Sequence, residues 1–190
     1  MGAIVTANRA APPAVQGGST GQYLTFMLGG EIYALGILNI KEIIEYGNLT
    51  EVPMMPPFIR GVINLRGRVV PVVDLAARIG RGATQVARRT SIVIIEVSNT
   101  FASEEGEVTE TQDIGVMVDA VNEVVDIDSG DIEPAPSFGA RIRPEFINGM
   151  AKRGGGFTIV LDVSRVLSVA EMSSLGRTSI DSTSLLEGDA

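Results

Sequence analysis

Asp74 and Asp162 invite a catalytic reading first, because each ends an apolar run and paired carboxylates can divide acid and base work. Each also directly precedes a short apolar segment, Leu75–Ile79 and Val163–Val169, where an aspartate caps the first helical turn. Capping accounts for both. Glu104, Glu105, Glu107, Glu110 and Asp113 crowd the stretch Ser98–Asp113, but without the alternate ligand spacing, central glycine and closing glutamate of a calcium loop. A solvated, flexible hairpin loop is the simpler expectation there. Asp126, Asp128, Asp131 and Glu133 form a second acidic rim with no ligand order. Gly154-Gly155-Gly156 lacks the Lys-Ser/Thr that follows a phosphate loop and reads as a hairpin turn. With no His and no Cys in the chain, imidazole–zinc sites, histidine triads, thiol nucleophiles and disulfides are excluded. No cofactor is expected, and an all-β carboxylate enzyme is the remaining catalytic alternative.

Arg66 is harder to explain away. It occupies the first place of the two-residue turn Arg66-Gly67, where Asn, Asp or Gly is the usual choice. Glu42 lies in a segment that must pack beside this turn. An exposed ion pair between them contributes only about 0.2–1 kcal/mol, too little to justify the arginine by stability. Orientation of a contact surface is the alternative reason.

The element that positions Arg66 is a hairpin. Val62–Leu65 leads into the turn, Arg68–Val73 leads out, Asp74 starts a brief helix and Gly80 ends it. This unit occurs twice. Phe58, Ile59, Gly61, Gly67, Val72 and Asp74 meet identical residues 88 positions on, at Phe146, Ile147, Gly149, Gly155, Val160 and Asp162. Ile40–Glu45 is echoed by Val121–Asp126 at a shift of 81, and the seven extra residues fall around the Pro/Ser/Gly-rich loop Pro134–Gly139. The chain is two copies of one small β-unit.

Composition agrees. Hydrophobic residues make up 45% and charged residues 20%, a globular balance. Aliphatics rich in Val and Ile, with 5% aromatics, favour strands. A net charge of −8 argues against nucleic-acid or anionic-membrane binding, and no apolar run suffices for a membrane span.

In chain order, residues 1–21 read as a flexible leader, 22–87 as a first barrel, 88–170 as a second and 171–190 as a tail, with exchange of strands across the boundary left open. Gln22–Leu28 and Ile32–Ile37 form a hairpin about Gly29-Gly30. Leu38–Tyr46 reads as a short helical turn entering a strand. Arg81–Arg89 is a solvated basic connector, too sparse for a binding patch. Thr90–Val97, nearly unbroken in apolar residues, is a strand buried on both faces. Ala170–Ala190 reads as a frayed helix and tail.

The strings IKEIIEY, FIRGVINLRGRVVPVVDL, IGVMVDAVNEVV and FINGMAKRGGGFTIVLDV, in this order, closely resemble the CheW family of bacterial chemotaxis coupling proteins over Gln22–Met172. The resemblance implies an all-β fold of two five-stranded SH3-like β-barrels, an internal duplication with short helices after the hairpins. It implies a non-catalytic adaptor in the cytoplasm, at receptor arrays beneath the inner membrane. Its partners would be the regulatory domain of a CheA-type histidine kinase, the cytoplasmic tip of a methyl-accepting chemoreceptor and other CheW-like domains. A coupler of a non-flagellar chemosensory pathway, for pilus motility or gene regulation, is the alternative. Carried onto this sequence, Ile40, Gly61 and Ile92 match residues lining a receptor-facing groove between the barrels. Glu42 and Arg66 match an acidic and a basic residue on which signalling depends, and Arg60 and Asn64 flank them. With no Trp and three Tyr the usual anchor residues are scarce, so pairwise affinities should be micromolar.

Overall fold

A computed structural model of the protein describes residues 18–136 and 142–172. The leader up to residue 17, part of the loop Pro134–Gly139 and the tail from residue 173 lie outside them. Among the described residues eleven strands form two antiparallel-dominated sheets. The five-stranded sheet is built from β3 (Ile40–Glu45), β4 (Ile59–Leu65), β5 (Arg68–Asp74), β6 (Ser91–Ser103) and β7 (Gly106–Val118). Their spatial order is β3-β6-β7-β5-β4. The other sheet takes β1 (Thr20–Leu28), β2 (Glu31–Gly36), β8 (Ala120–Asp128), the two-residue β9 (Ile132–Glu133), β10 (Ile147–Arg153) and β11 (Gly156–Leu161). Its order, β8-β1-β2-β11-β10-β9, is the same as that of the first sheet with β9 added at the edge. Both curl into SH3-like barrels, so the fold is all-β.

Strand order crosses the expected division at residue 87: β6 and β7 pair with β3 and β5, and β1 and β2 pair with β8 and β11. The N-terminal hairpin β1–β2 stands in the second barrel where β6–β7 stands in the first. The parallel pairings match in register: β5 meets β7 at Val72↔Gly115, and β11 meets β2 at Val160↔Ala34.

Local chemistry explains the repeated unit. Asp74 accepts from the Ala77 amide and Asp162 from the Arg165 amide, capping α1 (Leu75–Arg78) and α2 (Val163–Val166). Gly80, at φ +85°, donates to the Ala77 carbonyl at 3.1 Å, and the Arg81 amide donates to that of Ala76 at 2.8 Å. These two bonds form a Schellman stop, which needs a left-handed residue where Gly80 stands. The Asp74 amide donates to the Phe58 carbonyl at 2.7 Å, and its counterpart Asp162 donates to Phe146 at 2.8 Å.

The largest apolar core is shared by the barrels. Leu24, Phe26, Leu28, Tyr33 and Leu35 of the second barrel meet Val73, Val93, Ile95, Val97, Ile114, Val116 and Val118 of the first. Strand period two sends the alternate residues Ile92 and Ile94 the other way, into the first barrel with Ile63, Val70, Val72 and Met117. The second barrel holds a smaller core of Ala34, Val125, Ile127, Ala151 and Val160. Burial of Ile92–Ile95 on both faces is therefore as its apolar run implies.

Two expectations are corrected. Ser98–Asp113 is not a loop: β6 and β7 stay paired to Ser103↔Gly106 around the turn Glu104-Glu105, as an exposed two-stranded ribbon. Backbone pairing carries it where apolar pattern gave no signal. Arg81–Arg89 is not wholly solvated either, because Thr84 is buried against Asp74 and Arg81 pairs with Glu31 at 2.9 Å.

Candidate partner-binding surface

The β4–β5 turn holds Arg66 at φ +52° and Gly67 at φ +83°. Its duplicate in the second barrel holds Gly154 at +56° and Gly155 at +79°. The same turn thus carries glycine in one copy and arginine in the other. A side chain in the left-handed region costs about 1–2 kcal/mol, so arginine is the strained choice. Asn64 steadies the turn, its Oδ1 accepting from the Gly67 amide at 2.8 Å.

Arg66 reaches back to β3. Its two terminal nitrogens donate to Oε1 and Oε2 of Glu42, both at 2.8 Å, a fork-on-fork pair. The arginine side chain is 76% exposed. An exposed pair offsets the turn strain at best. Stability does not explain it.

A bulge between Ile40 and Glu42 breaks the β3–β6 register, and this re-aims the strand. Lys41 and Glu42 consequently line one recess together with Leu65, Arg66, Arg68 and Asp113. Lys41 lies 2.7 Å from Glu96 and 2.8 Å from Asp113, while Arg68 lies 3.1 Å from the other oxygen of Asp113. Asp113, only 7% exposed, is held between two cations. Hydrogen bonds to Asp113 and then Glu96 hold the Lys41 ammonium above its ordinary pKa. The rim around the Glu42–Arg66 pair is therefore a fixed lattice of alternating charge.

The other expected residues do different work. Arg60 lies 3.8 Å from the wholly buried Asp74, which also accepts from the amide and the hydroxyl of Thr84, both at 2.8 Å. Gly61 is buried at φ +146°, and a Cβ there would stand 2.2 Å from the Thr50 carbonyl oxygen. Its role is to let that loop cross the strand. Ile40 is half-buried against the shared core. Ile92, expected in a surface groove, is 1% exposed and faces the first barrel's interior, because strand alternation assigns it there. Glu42, Asn64 and Arg66 come together; Arg60, Gly61, Ile40 and Ile92 do not join them.

A groove does run along the seam between the barrels. One part, of about 510 Å³, is lined by Thr20–Tyr23 of β1, by Gly36, by the single helical turn Ile37–Asn39 and by Val163 of α2. The adjoining part shares Asn39 and Val163 and adds Val97, Ser98, Asn99, Ser164 and Leu167. Leu38 stands on the rim, 96% exposed. The described lining does not include Ile40, Gly61 or Ile92. Sequence reasoning missed Leu38 and Val163; an apolar residue in a helical turn too short to bury it was the available signal.

The CheW-like domain model matches residues 22–171. The chain is 30% identical over 152 residues to chemotaxis protein CheW of Klebsiella aerogenes, covering 80% of this chain and 84% of that one. It is 27% identical over 158 residues to protein FrzA of Myxococcus xanthus, covering 82% and 91%. The crystal structure of the scaffolding protein TtCheW from Thermoanaerobacter tengcongensis superposes with a TM-score of 0.63 at 30% identity, covering 84% of this chain and 91% of that one. Duplicated barrels, their matching strand order and these matches together make this chain a member of the CheW-like domain family.

Proposed function

We propose that this protein is a non-catalytic adaptor that couples the cytoplasmic tip of a chemoreceptor to the regulatory domain of a CheA-type histidine kinase. The observation that carries the reading is the Glu42–Arg66 pair: a strained, exposed and bidentate contact that stability does not explain. A receptor tip is a helical hairpin, and the seam groove with Leu38 on its rim suits an apolar helical stripe. The kinase domain docks at the hairpin end, where Glu42 and Arg66 fix the charge pattern of the first barrel's surface. Such an adaptor works in the cytoplasm at receptor arrays beneath the inner membrane. Among the described residues no helix is long and apolar enough to cross a membrane.

The test is co-sedimentation of the purified chain with receptor-bearing membranes and kinase. Leu38→Asp should abolish receptor-dependent sedimentation, and Arg66→Ala should lower kinase recruitment. Undiminished sedimentation of both variants would contradict the reading. Affinity purification from the host, with receptor and kinase identified by mass spectrometry, assigns the pathway, flagellar or otherwise.

A further inference from the structure

Arg78 ends α1 in the first barrel, yet its partners all belong to the second repeat or to the paired phenylalanines. Its Nε donates to the Val166 carbonyl at 2.8 Å, and a terminal nitrogen lies 3.2 Å from Glu171 Oε2. Its guanidinium carbon lies 5.1 Å from the Phe58 ring centre and 4.7 Å from that of Phe146. Phe58 and Phe146 are repeat equivalents, 88 positions apart, and so are Arg78 and Val166. The side chain therefore sits where the two copies face each other, with matching rings around one guanidinium.

A second arginine at Val166 would bring a like charge onto the same spot. The copies accordingly diverge here, and the first barrel's cation closes on the second barrel's backbone. Arg78 is only 8% exposed. Arg143 completes the cluster: it stacks on Phe146 at 4.1 Å and lies 2.5 Å from Glu171. Val166 is the last residue of α2, and Val163, one turn earlier in that helix, lines the seam groove.

We infer that Arg78 is a positioning residue: it locks α2 of the second barrel onto the first and so sets one wall of the receptor-docking groove. This rests on the groove reading given above. The planar guanidinium is required, because a lysine ammonium cannot stack between two rings while bonding the Val166 carbonyl and Glu171 together.

The test compares Arg78→Met, Arg78→Lys and the milder Glu171→Gln in the full chain, by amide hydrogen exchange and by binding to a soluble chemoreceptor cytoplasmic hairpin. The Val166 and Leu167 amides, each bonded 2.9 Å from a carbonyl of the preceding turn, report on α2. Their exchange should quicken by about tenfold in both Arg78 variants, and less in Glu171→Gln, while Val93–Ile95 exchange is unchanged. Receptor-fragment affinity should fall by about fivefold or more, with lysine giving no rescue. Unchanged α2 exchange overturns the inference. So does faster exchange with undiminished affinity, provided Leu38→Asp abolishes binding. If Leu38→Asp also leaves binding intact, the groove reading itself falls, and the inference with it.

Discussion

Arg66 and Glu42 hold each other through two parallel 2.8 Å hydrogen bonds across 24 residues of chain, from a turn position where the second barrel uses Gly154. The duplication supplies an internal control, since the turn geometry is the same with and without the arginine. Arg66→Gly should relieve the left-handed strain and leave stability within about 1 kcal/mol of the parent. Urea titration measures it. A loss of several kcal/mol would show that the arginine serves the fold.

Gly61 and Asp74 are predicted to matter for folding instead. Gly61→Ala would place a Cβ 2.2 Å from the Thr50 oxygen at φ +146°, and should destabilise by about 3 kcal/mol. A loss of less than about 1 kcal/mol in urea titration would show that the 49–50 loop moves aside.

The two capping aspartates separate by burial. Asp74 accepts from the Ala77 amide and from the amide and hydroxyl of Thr84 while wholly buried, so Asp74→Ala should cost about 3 kcal/mol. Asp162 is half-buried and caps α2 with the Arg165 amide and Ser164 hydroxyl, so Asp162→Ala should cost about 1 kcal/mol. Thermal melts of the two variants rank them. The reverse order would contradict the burial argument.

Tyr33 sets an alkaline limit. Burial is the main cause that pushes its phenol from 10.0 to about 12; Arg81 opposes the shift, and Glu31, 3.1 Å away, adds to it. A phenol with a raised folded pKa favours folding below its ordinary value and loses that contribution as pH rises from 10 through about 12. Denaturation midpoints against pH should fall in that window and flatten in Tyr33→Phe.

Glu171 sets an acid limit. Burial pushes its carboxyl up, but Arg143 and Arg78 outweigh that and hold it below its ordinary 4.5. Its contribution is present above that value and is lost as pH falls through the lowered folded pKa. Glu171→Gln should blunt the acid loss of stability, measured by the same titration.

The hairpin unit was legible in the sequence because its signals are local: turn glycines, the caps Asp74 and Asp162, and period-two apolar runs at matching steps. The Glu42–Arg66 contact was legible because arginine is an odd residue for that turn. Membership of β1–β2 in the second barrel was not, since strand partners 100 residues away leave no local trace. The acidic ribbon hid its strands, as exposure on both faces removes alternation. Ile92 was assigned to the surface by family resemblance alone, although the unbroken run Ile92–Ile95 already implied an interior strand. Arg78 left no sequence signal, because its partners Val166 and Glu171 lie at least 88 residues further along the chain.

Reconstituted kinase activation by receptor and Arg66→Gly separates signalling from folding. The variant should be as stable as the parent and activate the kinase about tenfold less or worse. Full activation by that variant would contradict the role proposed for the Glu42–Arg66 pair.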